Sequence, residues 1–269
     1  MPELSSSPNG LLDLTGRGAL VTGAGQVGRV IATTLAAHGA APIVVVDIAG
    51  PVGEELAADL QAAGTDAVSV TADITDPGGI DLLSEAVRRL QQPVQILVNN
   101  AGLPPGFLDG SSSILRPFAE TEPEDWEPVI NLNLYGVMRV TRAMLPAMID
   151  SGWGRVITIV SDAGRTGDPN VAAYAAAKAG AAGFMRCLAS EVGRYHVTAN
   201  SISLGSLWRP QDDSEPSPEY LQRLARRYPA GRPGYPQDVA NLVLYLASNA
   251  AEWITGQVYP LNGGYSYAL

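Results

Sequence analysis

The sequence predicts an α/β fold in which a doubly wound parallel sheet of seven strands lies between two layers of helices, as a three-layer sandwich. Short apolar runs recur along the chain, and segments with helical periodicity separate them. The runs are rich in Val and Ile, with almost no alternation of polar and apolar residues. Alternating strands and helices are typical of βα units, and continuous apolarity is expected of strands that helices cover on both faces.

Each predicted strand is one of these apolar runs. The first four are GALVTG (18–23), PIVVVD (42–47), AVSVTAD (67–73) and QILVNN (95–100), with helices predicted near 26–39, 52–63 and 78–91. The C-terminal half continues with strands GRVITIVS (154–161), TANSISL (198–204) and QVYPLN (257–262) and with helices near 123–150, 170–194 and 236–247. Thr121 is the expected N-cap of the helix at 123–150, because Pro123 and acidic residues occupy its first turn.

Length and composition indicate one soluble domain. The chain has 269 residues, of which 46% are apolar, and this is enough to fill a sizeable core. No run approaches the roughly 18 uninterrupted apolar residues of a membrane span. We assign residues 11–269 to a single domain and residues 1–10 to a disordered tail, since that tail lacks the basic and apolar segments of a signal peptide. A cytoplasmic location is therefore expected.

Charge and residue counts exclude several classes of site. The net charge of −10 opposes binding to nucleic acid, and the basic stretch RLARRY (223–228) is interpreted as the solvated face of a short helix. Two histidines and one cysteine provide no cluster with zinc-ligand spacing and no internal disulfide. Cys187 lies in a helical segment, where we expect it to be a small buried residue.

Two segments rich in Pro, Gly, Ser and Asp fit neither period. They are predicted as loop insertions at 103–118 and 206–230. Both follow the carboxyl end of a predicted strand, which is where ligands bind in an open α/β sheet. They are candidates for the walls or lids of a substrate site, and the alternative is that they are surface loops without contact to a ligand.

The first predicted strand leads into a glycine-rich loop, LVTGAGQVGRV. Its glycines spell G-x-G-x-x-G between a strand and a helix, so the loop residues Gly23, Gly25, Gln26, Val27 and Gly28 are candidates for binding a dinucleotide pyrophosphate. The next strand ends at Asp47, where a carboxylate accepts hydrogen bonds from an adenosine ribose and repels a 2′-phosphate. The pattern favours NAD(H) over NADP(H) in a Rossmann-type fold. The alternative for Asp47 is a turn-capping role.

Tyr174 and Lys178 form a candidate chemical site. Lys178 is the chain's only lysine, and its spacing of four from Tyr174 puts both side chains on one helix face. A phenol is a poor base at pH 7, but an adjacent ammonium stabilises the phenolate and makes the pair a usable acid/base. Ser161 ends the preceding strand and is the candidate hydroxyl that holds the reacting oxygen.

These motifs resemble those of the short-chain dehydrogenase/reductase family, over roughly residues 12–264. The resemblance rests on TGAGQVG, NNAG (99–102), NLYG with Asn133, Ser161, the Tyr174 and Lys178 pair, LG (204–205) and TGQVYPLNGG, which occur in the order typical of the family. It implies that Tyr174 is the acid/base, Ser161 orients the substrate, Lys178 holds the nicotinamide ribose and Asn133 anchors a proton-relay water.

The resemblance also implies further cofactor contacts. It places Asn100 beside the adenosine ribose, Asp73 and Ile74 at the adenine, and Leu207 near the carboxamide. From the sequence alone, Asp73 serves equally well as a cap for the turn after its strand. A homotetramer or dimer, formed through the helices at 123–150 and 170–194, is implied by the resemblance.

Besides Val160, which replaces a frequent serine just before Ser161, three positions depart from the family's pattern. The glycine loop is one residue shorter than the usual T-G-x-x-x-G-x-G, with Gln26 where a glycine is expected. Leu204 replaces the usual proline before Gly205, and Arg209 stands where threonine is common. The first position alters the pyrophosphate cradle, and the other two lie around the nicotinamide and the substrate.

The sequence therefore predicts an NAD(H)-dependent oxidoreductase that interconverts a secondary alcohol and a ketone, with a small-molecule substrate and no nucleic-acid or membrane partner. Two alternatives stay open. One is an epimerase or dehydratase of the same fold that uses bound NAD without net redox, and the other is an NAD-binding protein without turnover. The expected pocket segments mix an apolar aromatic residue, arginines and acids, which suits substrates from keto acids to polycyclic ketones.

Overall fold

The computed structural model describes residues 10–103, 112–208 and 217–267, and it contains the predicted seven-stranded parallel sheet. The strands are β1 (Gly18–Thr22), β2 (Ile43–Asp47), β3 (Ala67–Thr71), β4 (Val94–Asn99), β5 (Gly154–Ser161), β6 (Val197–Leu204) and β7 (Val258–Leu261). Their order across the sheet is β3-β2-β1-β4-β5-β6-β7, and every neighbouring pair is parallel. The predicted fold class and all seven strands are confirmed.

Helices cover both faces of the sheet. They are α1 (Gln26–Ala37), α2 (Gly50–Ala62), α3 (Pro77–Arg88), α4 (Pro123–Ile130), α5 (Val137–Asp150), α6 (Ala163–Thr166), α7 (Ala172–Val192), α8 (Pro218–Ala225) and α9 (Pro236–Ala247). Residues of α1, α2 and α9 form one buried apolar cluster with the sheet, and residues of α3, α5 and α7 form a second cluster on its other face. No helix among the described residues is long and apolar enough to cross a membrane.

Successive residues of one strand enter different clusters, as the period of a β-strand requires. In β1, Ala19 and Val21 pack with α1 and α9, whereas Leu20 packs into the opposite layer. All three side chains are at most 1% exposed. The strands show no polar alternation because both of their faces are buried.

The helix predicted at 123–150 is continuous in the chain but is not a regular α-helix. A π-helical segment, Asn131–Gly136, joins α4 to α5. Insertions of this kind re-aim the side chains of a helix and are frequent at functional sites. The predicted N-cap, Thr121, is wrong by one residue, because Glu122 and Asp125 form a reciprocal capping box while Thr121 accepts a hydrogen bond from the Trp126 indole.

Other local expectations differ from the structure. Cys187 is exposed, so its expected burial is wrong, since it faces outward on α7. The short helix α6 was not among the predicted elements, and the short helix expected at the basic stretch 223–228 is α8, which begins earlier, at Pro218, and ends at Ala225. Most of the predicted tail at 1–10 and parts of the loops at 103–118 and 206–230 lie outside the described residues.

Candidate active site

A cavity of about 1990 Å³ opens at the carboxyl ends of the strands. Its walls include the ends of β1, β2, β4, β5 and β6 and the loops that follow them. The strand order reverses between β1 and β4, and this switch point is where open α/β sheets bind their ligands. Except for Asn133, every described residue predicted for the site lines this cavity.

The glycine loop between β1 and α1 is tied to the end of β4. Thr22 Oγ1 accepts hydrogen bonds from the backbone N–H groups of Asn100 and Ala101, both at 3.1 Å. The Asn100 amide donates to the carbonyls of Thr22 and Gly23 at 3.0 and 3.1 Å. Asn100 therefore supports the glycine loop, and it also lines the cavity.

Two glycines of the loop have steric reasons to be glycine. Gly23 has a φ of +81°, which side-chain-bearing residues rarely adopt. A Cβ on Gly28 would lie 1.7 Å from the carbonyl oxygen of Gly23, so α1 packs directly on the loop backbone. These contacts hold the first turn of α1 against the end of β1.

The first turn of α1 faces open space suited to an anion. Gly25 is its N-cap, makes no side-chain cap, and has no heavy atom within 4 Å of an ideal Cβ. Gln26 and Val27 follow at the cavity wall. A helix N-terminus with accessible N–H groups is a binding site for phosphate, so this cradle fits the pyrophosphate of a dinucleotide.

Asp47 lies at the end of β2 beside the glycine loop. Its Oδ2 accepts a hydrogen bond from the Ala24 N–H at 2.6 Å, and its Oδ1 accepts from the Ala49 N–H at 2.8 Å. The carboxylate therefore fixes the loop and also caps its own turn, so the capping alternative describes part of its role. Both oxygens retain lone pairs at the cavity wall, where a ribose hydroxyl can donate.

Asp73 caps the turn after β3, as one of its two predicted roles required. Its Oδ1 accepts from the N–H and the hydroxyl of Thr75 at 2.8 and 2.7 Å. The next residue, Ile74, is 6% exposed and packs against Gly136 of the π-helical segment. Both Asp73 and Ile74 line the cavity, at its β2 and β3 end.

The three candidate chemical residues come from two elements, β5 and α7. Ser161 is the last residue of β5, and its Oγ accepts a hydrogen bond from the Ala163 N–H at 3.2 Å. Tyr174 and Lys178 lie on α7, 6% and 3% exposed, with Lys178 Nζ 5.8 Å from the centroid of the Tyr174 ring. All three line the cavity. The four-residue spacing thus places phenol and amine on one buried helix face.

Lys178 and Asn133 meet at Gly102. Lys178 Nζ donates to the Ile159 carbonyl at 2.9 Å, and burial lowers the pKa of the amine from 10.5 to about 7. A Cβ on Gly102 would lie 2.6 Å from both Lys178 Nζ and Asn133 Oδ1, so these two atoms are close neighbours.

Asn133 is fully buried in the π-helical segment. Its amide donates to the Val129 carbonyl at 3.0 Å, and its Oδ1 makes no hydrogen bond within the described part of the chain. An unpaired buried carbonyl beside an amine suits a bridging water, which is the role that the resemblance implies for Asn133.

The loop after β6 continues the wall past Leu204. Leu207 pairs with Gly234 in an isolated parallel bridge, and the Trp208 N–H donates to the Gly234 carbonyl at 2.7 Å. Ser206 accepts a hydrogen bond from the Tyr228 hydroxyl at 2.8 Å. Leu207 and Trp208 line the cavity, whereas Arg209 lies outside the described residues.

Sequence reasoning missed a buried carboxylate next to Ser161. Asp162 accepts hydrogen bonds from the Ser203 and Ser266 hydroxyls at 2.7 and 3.0 Å and from Arg165 at 2.9 Å, and it also accepts from the Asn262 amide. It joins β5, β6 and the C-terminal segment at the cavity wall. Its position directly after Ser161 was the only local signal, since its partners lie far away in the chain.

Sequence reasoning also missed a pair of polar side chains, Arg227 and Tyr265, at the cavity wall. Arg227 and Tyr265 line the cavity, and Arg227 Nη2 donates to the Tyr265 hydroxyl at 2.8 Å. That hydroxyl donates to Asp168 at 3.1 Å. Arg227 belongs to the basic stretch that was expected to be a solvated helix face, and no periodicity distinguishes it from its neighbours. Within the described ranges, no group of His, Cys, Asp and Glu side chains is arranged to hold a metal ion.

Comparison with known proteins finds relatives along nearly the whole chain. The family model described as Enoyl-(Acyl carrier protein) reductase matches residues 23–266. The 3-oxoacyl-(acyl-carrier-protein) reductase FabG of Escherichia coli is 37% identical over 254 residues, covering 94% of this chain and 98% of that protein. The 7alpha-hydroxysteroid dehydrogenase of Escherichia coli is 33% identical and covers 94% of this chain and 95% of its own.

Solved structures agree with these relatives. A gluconate 5-dehydrogenase from Burkholderia cenocepacia, in complex with NADP and tartrate, superposes with a TM-score of 0.86 at 28% identity. The match covers 98% of this chain and all of that one. The similar proteins thus share the fold, and their names all describe reductases or dehydrogenases.

Proposed function

The chain belongs to the short-chain dehydrogenase/reductase family of oxidoreductases, and from that premise we propose that it interconverts a secondary alcohol and a ketone with NAD(H). The observation that carries the proposal is the placement of Tyr174 and Lys178 on one buried face of α7, in the same cavity as Ser161 and the glycine loop. A protein that only binds a dinucleotide has no use for this phenol and amine pair.

The cradle fits a nicotinamide dinucleotide. The N-terminus of α1 would hold the pyrophosphate, Asp47 the adenosine ribose, and Asp73 and Ile74 the adenine. Asn100 would support the adenosine ribose, Lys178 would hold the nicotinamide ribose and Leu207 would lie near the carboxamide. When bound, the nicotinamide ring supplies a hydride acceptor or donor.

The residues of the chain supply proton transfer and orientation. We assign the hydroxyls of Ser161 and Tyr174 to the substrate oxygen, which they polarise by hydrogen bonds. In oxidation, Tyr174 takes the hydroxyl proton while the carbinol C–H bond breaks, and in reduction it returns that proton to the oxygen. Lys178 stabilises the phenolate whenever its amine is charged. Asn133 Oδ1 holds a water that passes the proton onward.

Asp47 supports NAD(H) as the cofactor. A carboxylate at the end of β2 accepts from ribose hydroxyls and repels a 2′-phosphate. The cationic side chains among the described cavity residues are Arg139, Lys178 and Arg227, and none of them belongs to the β2 wall. The solved gluconate 5-dehydrogenase contains NADP, so the choice of cofactor has to be measured on this protein.

The decisive experiment compares wild type with Tyr174→Phe. Purified protein is mixed with NAD⁺ or NADP⁺ and a panel of secondary alcohols, and with the reduced cofactors and ketones, while absorbance of the reduced nicotinamide is recorded. We expect turnover with NAD(H), and a loss of about 10²- to 10⁴-fold in kcat for Tyr174→Phe with little change in NADH affinity. Full turnover by this variant would contradict the role of Tyr174, and product formed without net cofactor change would favour an epimerase or dehydratase.

We also propose that the protein is a homodimer or homotetramer built through α5 and α7. Met138 on α5 is 38% exposed, and Tyr135 in the preceding π-helical segment, which also lines the cavity, is 51% exposed. Apolar groups of this size in water are typical of surfaces that associate.

A further inference from the structure

Arg227 is a cation at the edge of the cavity that the proposed chemistry does not use. Its side chain is 54% exposed and lines the cavity, and it donates a hydrogen bond to the Tyr265 hydroxyl. Asp168, which also lines the cavity, forms a long ion pair with Arg227 at 3.8 Å from Nη2 to Oδ1, without a hydrogen bond between them. The hydrogen bond to Tyr265 raises the pKa of the guanidinium, so Arg227 is charged at every relevant pH.

The other two cationic side chains of the described cavity wall, Lys178 and Arg139, donate hydrogen bonds to groups of the protein itself. Lys178 is buried against the Ile159 carbonyl, and Arg139 donates to Asn131 at 2.7 Å near the Tyr135 ring. Neither is as exposed as Arg227, whose guanidinium has N–H groups without a hydrogen-bond partner among the described residues. A guanidinium has five N–H donors in a planar fork, and that geometry matches a carboxylate.

The C-terminal segment fixes Arg227 in place. The Tyr265 ring lies 4.5 Å below the guanidinium carbon and 5.4 Å from the Tyr228 ring. The segment itself is anchored next to the reacting end of the cavity, because Asn262 and Ser266 both donate to Asp162, the neighbour of Ser161. The contacts with Tyr265 therefore fix the position of the Arg227 charge, and Arg227 and Ser161 line the same cavity.

We propose that Arg227 binds a carboxylate group of the substrate, so that the protein acts on hydroxy acids and keto acids. This inference rests on the proposed function, since it names the substrate class of that same site. The carboxylate lies against the outward-facing N–H groups of Arg227 while the reacting oxygen lies between Ser161 and Tyr174. The hydroxyl of Tyr265 orients the guanidinium by accepting its hydrogen bond.

The test pairs each acid with its uncharged ester. Acetoacetate and levulinate, and their methyl esters, are reduced with NADH and with NADPH by wild type, Arg227→Gln and Arg227→Lys. We expect wild type to favour the acids. Arg227→Gln should raise KM for the acids by roughly 10- to 100-fold, the size expected for losing charge-assisted hydrogen bonds, and leave the esters within about twofold. Arg227→Lys should retain part of the preference, because lysine keeps the charge without the fork.

Arg226→Gln is the matched control. It removes the same charge from the neighbouring residue, which is exposed and does not line the cavity, so the preference for acids should persist. Tyr265→Phe should raise KM for the acids a few-fold and leave the esters unchanged. Two results would contradict a carboxylate-binding role for Arg227: equal use of acids and esters by wild type, or an equal rise in KM for both in Arg227→Gln. Neither result would contradict the proposed oxidoreductase function.

A binding measurement separates this inference from the proposed function. If no ketone of any kind is reduced with either cofactor, the proposed function fails. Calorimetric titration of levulinate into wild type and Arg227→Gln then still tests the site. Binding that weakens at least tenfold in the variant supports it, and absent or equal binding overturns it.

Discussion

At the scale of single residues, burial determines the chemistry of this site. Lys178 is the chain's only lysine and is 3% exposed, and its hydrogen-bond partner is a carbonyl and not a carboxylate. Asp47, in contrast, is half-buried and engages backbone N–H groups with both oxygens. Burial therefore destabilises the charged form of Lys178, which suits a partner in acid/base chemistry, whereas the position of Asp47 at the cavity wall suits a ribose acceptor.

The first prediction concerns Lys178 and pH. The pKa of its amine is about 7 in the folded chain against 10.5 for an unperturbed lysine. Between these values the unfolded chain binds more protons, so Lys178 makes stability rise with pH across that window, and its burial cost is greatest below pH 7. The free energy of unfolding without cofactor, measured in urea at several pH values, should therefore rise more steeply in wild type than in Lys178→Met.

The difference between the two proteins isolates this group, because all other titrating residues are common to both. Equal slopes for wild type and Lys178→Met across the window would mean that the amine stays charged when buried.

The second prediction concerns Asp47. Asp47→Asn keeps an acceptor for one loop N–H but removes the charge that opposes a 2′-phosphate. We expect the ratio of NADPH to NADH affinity, measured by fluorescence titration, to rise at least several-fold. Asp66→Asn is the control, since it makes the same charge change on an exposed residue that does not line the cavity. An unchanged ratio for Asp47→Asn would assign the carboxylate to the turn alone.

At the scale of elements, the start of α1 is defined by contact with backbone. Gly28 packs against the carbonyl of Gly23, whereas Gly25 faces the cavity with nothing near it. The short loop therefore contains glycines of two kinds, one required by packing and one that leaves space for a ligand. The sequence motif marks both in the same way and does not separate these roles.

The third prediction uses this contrast. Gly28→Ala places a methyl group 1.7 Å from the Gly23 oxygen, so we expect it to destabilise the fold by about 1–3 kcal/mol and to weaken cofactor binding. Gly25→Ala should leave the free energy of unfolding within about 1 kcal/mol, because its φ of −62° suits any residue, and yet weaken NADH binding at least tenfold. Thermal unfolding and NADH titration of both variants check this. Unimpaired binding by Gly25→Ala would place the pyrophosphate elsewhere.

At the scale of the whole molecule, the sheet collects residues from distant parts of the chain. Short apolar runs and their alternation with helical segments were sufficient to predict the fold and the sheet's carboxyl edge. Because parallel strands end at the same edge, the glycine loop, Asp47, Asp73 and Ser161 were also predictable as one site. The π-helical segment that carries Asn133 was not, since its residues have ordinary helical periodicity.

The fourth prediction concerns assembly. Light scattering after gel filtration should give a mass of two or four times 28.1 kDa. Met138→Arg, on the exposed side of α5, should lower that mass if association occurs through α5 and α7. Trp253→Arg is the comparison, because Trp253 is 97% exposed and follows α9 at another face. A monomer in wild type, or dissociation by Trp253→Arg alone, would contradict the proposed interface.

Local residue types thus determined the strands, the glycine loop and the pair on α7, because their periodicity and spacing act over a few residues. The cap at Glu122, the exposure of Cys187 and the pairing of Arg227 with Tyr265 needed the folded chain. Arg227 and Tyr265 belong to different segments, and Asp162 bonds to residues about a hundred positions away. Such contacts depend on the packing of the C-terminal segment against β5, which no local pattern encodes.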